Sequence, residues 1–127
     1  MALIVTAEDD PDVRELIIAL LQREGHTVVG APDGVSALSE AYAHRPDLMI
    51  TDNDMPGISG FELCKRLKES AATRHIPVLM ISGSLTEAQV EAGLPCVTSS
   101  LAKPFRPRVL RERVEALLSS PASERRR

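Results

Sequence analysis

A doubly wound α/β domain, five parallel strands with five helices, is the fold class the sequence predicts. Three observations carry that reading. Short runs such as Leu3–Val5, Leu48–Thr51 and Ile76–Ser82 are almost wholly apolar, as expected of strands covered on both faces. Between them stand longer stretches with apolar residues at helical spacing. The two patterns alternate along the chain, and such alternation joins parallel strands through helical crossovers. At 127 residues and 43% hydrophobic, the chain fits one domain with a single core. With one Tyr, two Phe and no Trp, that core is built from Leu, Ile, Val, Ala and Met.

The elements follow in order. Leu3–Val5 is the first strand, ended by Glu8, Asp9 and Asp10. Asp10 suits an N-cap and Pro11 the first helical position, where a missing N–H costs little. Val13, Leu16, Ile17, Leu20 and Leu21 form the buried stripe of that helix, which Gly25 stops. Thr27–Ala31 is a second strand. Asp33 and Gly34 open a helix with Val35, Leu38, Ala41 and Tyr42 on one face, broken by Pro46. Leu48–Thr51 is the third strand, delivering Asp52 to a tight loop containing Met55, Pro56 and Gly57. Ser59 and Glu62 make a capping box for a helix over 60–69, burying Phe61, Cys64 and Leu67. Ile76–Ser82 is the fourth strand. A weak, short helix follows the Ser84–Glu87 capping box and ends by Gly93 and Pro95. Cys96–Leu101 is the fifth strand, and a last helix from Pro107 carries Leu110, Val114 and Leu117. The domain is expected to span 1–119, with 120–127 a flexible C-terminal tail.

Charge and composition exclude several classes. A formal charge of −3 gives no general reason to bind nucleic acid or an anionic membrane. The terminal basic run Arg125–Arg127 reads as solvated. The N-terminus lacks a basic segment and reaches acids within a few residues, so it is neither a signal peptide nor a membrane span. Cys64 and Cys96 are far apart and form no Cys-x-x-Cys pair; they read as two buried or half-buried thiols in a reducing compartment. A cytoplasmic protein is expected.

In a parallel sheet of this kind the functional crevice lies beyond the carboxyl ends of the strands. That rule selects Glu8, Asp9, Asp52, Ser82 and Lys103. Asp10 and Asp12 read as helix caps. Glu8, Asp9 and Asp52 should crowd together, and like charges so close disfavour one another unless a cation joins them. Oxygen ligands with room for water and a phosphate oxygen suit Mg²⁺. A hydroxyl and an ammonium, Ser82 and Lys103, could hold the remaining phosphate oxygens. Phosphoryl transfer asks for little more than an in-line nucleophile and charge neutralisation, and Asp52 as nucleophile would become an aspartyl phosphate.

Glu8-Asp9, Asp52-x-x-Met-Pro-Gly, Ser82-Gly83 and Lys103-Pro104-Phe105 together resemble the receiver domain of two-component response regulators, over roughly residues 2–118. The resemblance implies a flavodoxin-like receiver fold with strand order 2-1-3-4-5. It implies Asp52 as phosphoacceptor, served by a sensor histidine kinase or a histidine phosphotransfer protein. Asp9 and Asp52 would bind Mg²⁺ by side chain, Asp54 by its backbone carbonyl, and Glu8 directly or through water. Ser82 and Lys103 would hold the phosphoryl oxygens, and Lys103–Pro104 would be a cis peptide. The protein would be a signalling domain rather than an enzyme, with an unknown downstream protein partner, no direct nucleic acid binding and no membrane.

Departures from the family pattern bear on signalling. The first acid is Glu8 where Asp is usual, and Ser100 occupies the position of the usual Tyr or Phe switch residue. An aromatic ring swinging inward therefore cannot carry the signal. The helix after Ser84 is about a turn short, with extra residues over 94–99. Two alternatives stand beside this reading. One is a receiver-like interaction module that is not phosphorylated. The other is a haloacid-dehalogenase-type phosphatase, suggested by Asp52-Asn53-Asp54, but mid-chain and without length for a cap. No DNA-binding or catalytic domain follows Ser119, so output runs by contact or through a larger regulator.

Overall fold

A computed structural model describes residues 1–83 and 96–119. Five strands, β1 (Leu3–Ala7), β2 (Thr27–Ala31), β3 (Leu48–Asp52), β4 (Val78–Ser82) and β5 (Ser99–Ala102), form one sheet in the order β2-β1-β3-β4-β5. Every neighbouring pair is parallel, matching the expected fold class and strand order. The described helices are α1 (Pro11–Arg23), α2 (Gly34–His44), α3 (Gly60–Glu69) and α4 (Pro107–Leu118). The helix expected behind Ser84 and the expected tail over 120–127 lie outside the described residues.

Side chains alternate across the strands and divide the core into two layers. Ile4, Leu48, Ile50, Leu79, Ile81 and Leu101 point to the face covered by α1 and α4, where Ile17, Leu21, Leu110 and Val114 meet them. Val5, Ala7, Met49 and Val78 point to the other face, against Ala37 and Ala41 of α2 and Leu63, Cys64 and Leu67 of α3. With both faces covered, every residue of β3 and β4 is buried.

The caps are those the sequence anticipates. The Asp10 side chain accepts hydrogen bonds from the Asp12 and Val13 amides, and Pro11 follows it. Asp33 accepts from the Ser36 amide, and Ser59 from that of Glu62. The Glu62 carboxylate instead accepts from Arg66 Nε at 3.1 Å, one turn along, an i,i+4 pair.

Four expectations are corrected. In α2 the buried residues are Gly34, Ala37 and Ala41, while Val35 and Tyr42 are 62% and 45% exposed. The helix sits too close for large side chains: a Cβ on Gly34 would lie 2.4 Å from Ile58 Cγ1. In α1, Leu16 is 47% exposed because Ile17, Leu20 and Leu21 take the sheet-facing stripe. In α3, Leu63 rather than Phe61 joins Cys64 and Leu67 in the core. Finally, pairing in β4 begins at Val78 and in β5 at Ser99. Ile76 is buried but bonds back to Thr73 O, and Pro77 has no N–H to give the ladder. Ahead of β5, Thr98 pairs partly by side chain, its Oγ1 accepting from the Val78 amide at 3.0 Å.

Candidate functional site

The carboxyl ends of the strands bring the selected residues together. β1 ends at Ala7, and Glu8 stays tied to the sheet because its amide donates to Ala31 O. β3 ends on Asp52 itself, opposite Ile81 of β4. Ser82, the next residue of β4, pairs in register with Ala102. Lys103 follows at once, its amide donating to Ser82 O at 2.9 Å, and the Lys103–Pro104 peptide is cis. Glu8, Asp52 and Ser82 are buried; Asp9 and Asp54 are exposed.

Charge organises the site. Glu8, Asp9 and Asp52 each place a carboxylate oxygen within 4.8 Å of the others. Lys103 Nζ donates to Glu8 Oε1 at 2.9 Å and to Asp52 Oδ2 at 3.1 Å, bridging the two buried acids. Glu8 Oε2 accepts from the Asp10 amide, and Asp52 Oδ1 from that of Asp54. Burial lifts the Glu8 carboxyl above its ordinary value; hydrogen bonds from Lys103 and Asp10 oppose the rise, and the Asp52 charge adds to it. Burial alone would lower the Lys103 ammonium, but its bonds to Glu8 and Asp52 and their negative charge outweigh it, so its pKa stands raised.

The donor set fits a hard divalent cation. Three carboxylate oxygens share one small volume, two of them on buried residues, and oxygen-only ligation is what Mg²⁺ takes. Three carboxylates stand here beside one bridging ammonium, and a divalent cation would offset the remaining negative charge.

Three supporting residues were not anticipated. Asn53 anchors the loop after β3: its amide donates to Ile81 O, its carbonyl accepts from the Met55 and Gly60 amides, and its Oδ1 accepts from the Phe61 amide. Gly60 lets α3 start against that loop, since a Cβ there would lie 2.5 Å from Asp52 O. Arg14 of α1 reaches back to Glu8 O at 2.8 Å. An Asn and a Gly flanking a tight turn were a readable signal for the first two; Arg14 had none. Gly57, at φ +79°, supplies the left-handed turn residue of the loop.

Ser100 is buried and faces away from the Leu101 layer; its Oγ has no hydrogen-bond partner. Its carbonyl accepts from Arg113 Nη1 of α4, which also bonds Ser99 Oγ at 2.9 Å.

Residues 4–115 match the family model described as the response regulator receiver domain. The transcriptional regulatory protein CseB of Streptomyces coelicolor is 34% identical over 116 residues, covering 91% of this chain and 48% of that protein. The phosphate regulon transcriptional regulatory protein PhoB of Escherichia coli is also 34% identical, over 91% of this chain and 51% of its own length. The chain thus spans about half the length of these relatives. Among solved structures, the chemotaxis response regulator CheY4 of Vibrio cholerae superposes with a TM-score of 0.86 at 30% identity, covering 92% of this chain and 98% of that one.

Proposed function

The chain belongs to the response regulator receiver family, a signalling domain rather than a classical enzyme, and from that premise we propose that Asp52 is its phosphoacceptor. The observation that carries the proposal is the bridge from Lys103 to Asp52 and Glu8, set among three converging carboxylates. Asp52 is held at the end of β3 by sheet pairing and by the Asp54 amide, so its carboxylate is aimed out of the sheet. A carboxylate oxygen attacks the phosphorus of a phosphohistidine, the P–N bond breaks, and the imidazole leaves. The donor is a sensor histidine kinase or a histidine phosphotransfer protein.

Glu8, Asp9 and Asp52, with the Asp54 backbone carbonyl, would hold Mg²⁺, which when bound neutralises charge on the transferring phosphoryl group. Lys103 supplies a fixed positive charge at the same place, and Ser82 a hydroxyl for a phosphoryl oxygen. Phosphorylation adds about 1.5 to 2 negative charges, which re-pairs Lys103 and alters contacts with a downstream protein.

Residues 1–119 act as the receiver, and cytoplasmic residence is part of the reading. Among the described residues no helix is long and apolar enough to cross a membrane. The relatives are named as transcriptional regulators, so the expectation of no nucleic acid partner is narrowed to this domain's own surface. Family membership displaces the phosphatase reading.

Incubation with acetyl phosphate and Mg²⁺ should add one phosphate by intact mass, absent from Asp52→Asn. No adduct with acetyl phosphate or a cognate kinase would leave an unphosphorylated interaction module. An unchanged adduct on Asp52→Asn would place the acceptor elsewhere.

A further inference from the structure

The phosphoacceptor reading leaves one reactive group unused. Cys64 is fully buried on the core side of α3. Cys96 is half-buried ahead of β5 and packs on the same apolar cluster. Distant in sequence, the two thiols come together in the fold, close enough for Cys96 to act on the Cys64 thiol, and neither is in a disulfide. Cys64 lies in the α3 stripe with Leu63 and Leu67, and Cys96 stands two residues before Thr98, whose amide donates to Val78 O at 3.0 Å.

We propose that Cys64 and Cys96 are an oxidisable pair, at which a hydroperoxide closes a disulfide between α3 and the segment leading into β5.

The surroundings assign the two sulfurs different roles. Cys96 lines a surface cleft along α3 with Phe61, Lys65 and Lys68, so oxidant reaches it first. The Lys68 side chain is fixed by hydrogen bonds to Arg74 O and Ile76 O and lines the same cleft as Cys96, a fixed positive charge beside the sulfur that attacks. Cys64 is the resolving thiol. Burial, and then Cys96, push its pKa up, so it does not react with oxidant on its own account.

The chemistry balances. The Cys96 thiolate attacks one peroxide oxygen, the O–O bond breaks, and a sulfenic acid forms as hydroxide leaves. The Cys64 sulfur then attacks the Cys96 sulfur, the S–O bond breaks, and the Cys64 proton departs with that oxygen as water. Overall two thiols lose two hydrogens and hydrogen peroxide becomes two waters. The bond ties the helix that follows the Asp52 loop to the strand that precedes Lys103, spanning β4, which lies between β3 and β5.

The test treats the whole chain with hydrogen peroxide, quenches in acid, unfolds it and alkylates it. The expected product is monomeric, lighter by two hydrogens and unalkylated, gives a Cys64–Cys96 linked peptide, and regains two alkylatable thiols with dithiothreitol. Lys68→Gln should slow the crosslink several-fold. Cys96→Ser should leave Cys64 alkylatable after the same exposure. Two thiols still alkylatable in the wild type, sulfinic acid on Cys96 without a crosslink, or a disulfide-linked dimer would each overturn the proposal. The mass readout on wild type does not depend on any variant folding, nor on phosphorylation of Asp52.

Discussion

Replacing Lys103 by Met removes the cation that, among the described residues, bridges Glu8 and Asp52, while keeping most of its apolar stem. At an effective dielectric of about 20, its contacts at 2.9 and 3.1 Å correspond to gross attractions of about 6 and 5 kcal/mol. Those figures are not the cost, because the variant has an escape. Glu8 can take a proton and donate it toward Asp52. From the ordinary value of 4.5, holding that proton at pH 7 costs about 3.4 kcal/mol, at about 1.4 kcal/mol per pH unit. This caps the charge penalty, so the expected loss of stability in chelator is about 3 kcal/mol.

The sign with pH follows from the directions of shift. Glu8 has a raised folded pKa, and loss of the ammonium raises it further. The penalty is therefore present above the unfolded value of 4.5 and fades as pH falls toward it. Lys103 is also raised, so its own contribution is complete below its ordinary 10.5 and is lost only on the alkaline side. Urea unfolding of wild type and Lys103→Met at about pH 7, 6 and 5 should differ by about 3, 2 and 1 kcal/mol. A difference that does not change with pH, or one below about 1 kcal/mol at pH 7, would refute the argument that Lys103 neutralises Glu8.

Two further predictions rest on packing and unmet polar groups. Gly60→Ala drives a Cβ to 2.5 Å from Asp52 O and 2.9 Å from Asn53 Cα, both backbone atoms; urea unfolding should show a loss of about 2 to 3 kcal/mol. Gly83→Ala, whose nearest neighbour among the described residues is Lys103 Cβ at 3.6 Å, should cost under about 1 kcal/mol, and equal losses would count against the close-approach argument. Thr6 Oγ1 and Ser100 Oγ are buried without partners, so Thr6→Val and Ser100→Ala should each stabilise by about 1 kcal/mol in the same assay. A loss at either position would mean its hydroxyl is satisfied.

What the sequence made legible was set locally. Asp10-Pro11 and Ser59 mark helix starts because an N-cap acts on amides only two or three residues ahead, and Gly25 marks a stop because φ +90° suits glycine. The crowding of Glu8, Asp9 and Asp52 was also readable, since parallel strands present their carboxyl ends on one side. Illegible features depended on distances between elements. The α2 stripe was misread because Gly34, Ala37 and Ala41 are chosen for closeness, whereas periodicity weights large apolar residues such as Val35 and Tyr42. The start of the β4–β5 ladder depends on Thr98 meeting Val78, a pairing that neither segment reveals alone. Cys64 and Cys96 looked unrelated because only the crossover from α3 through β4 to β5 brings them together.

The site also joins an edge strand to a central one. β5 does not touch β3; β4 lies between them. Lys103, just past the end of β5, nonetheless bonds Asp52 at the end of β3 and Glu8 just past β1. A single ammonium thus ties the sheet edge to two of its interior strands. Any added negative charge at Asp52 competes with Glu8 for that ammonium, and Glu8, being buried, cannot turn to water in compensation. The same edge is held from the other side by Arg113 of α4, through Ser99 Oγ and Ser100 O. With Ser100 where the family usually places an aromatic ring, no ring rotation is available. What remains are polar tethers at the two ends of a four-residue strand. Lys103 at one end of this short edge strand bonds Asp52, and at the other end the Ser99 hydroxyl and Ser100 carbonyl accept from Arg113 of α4.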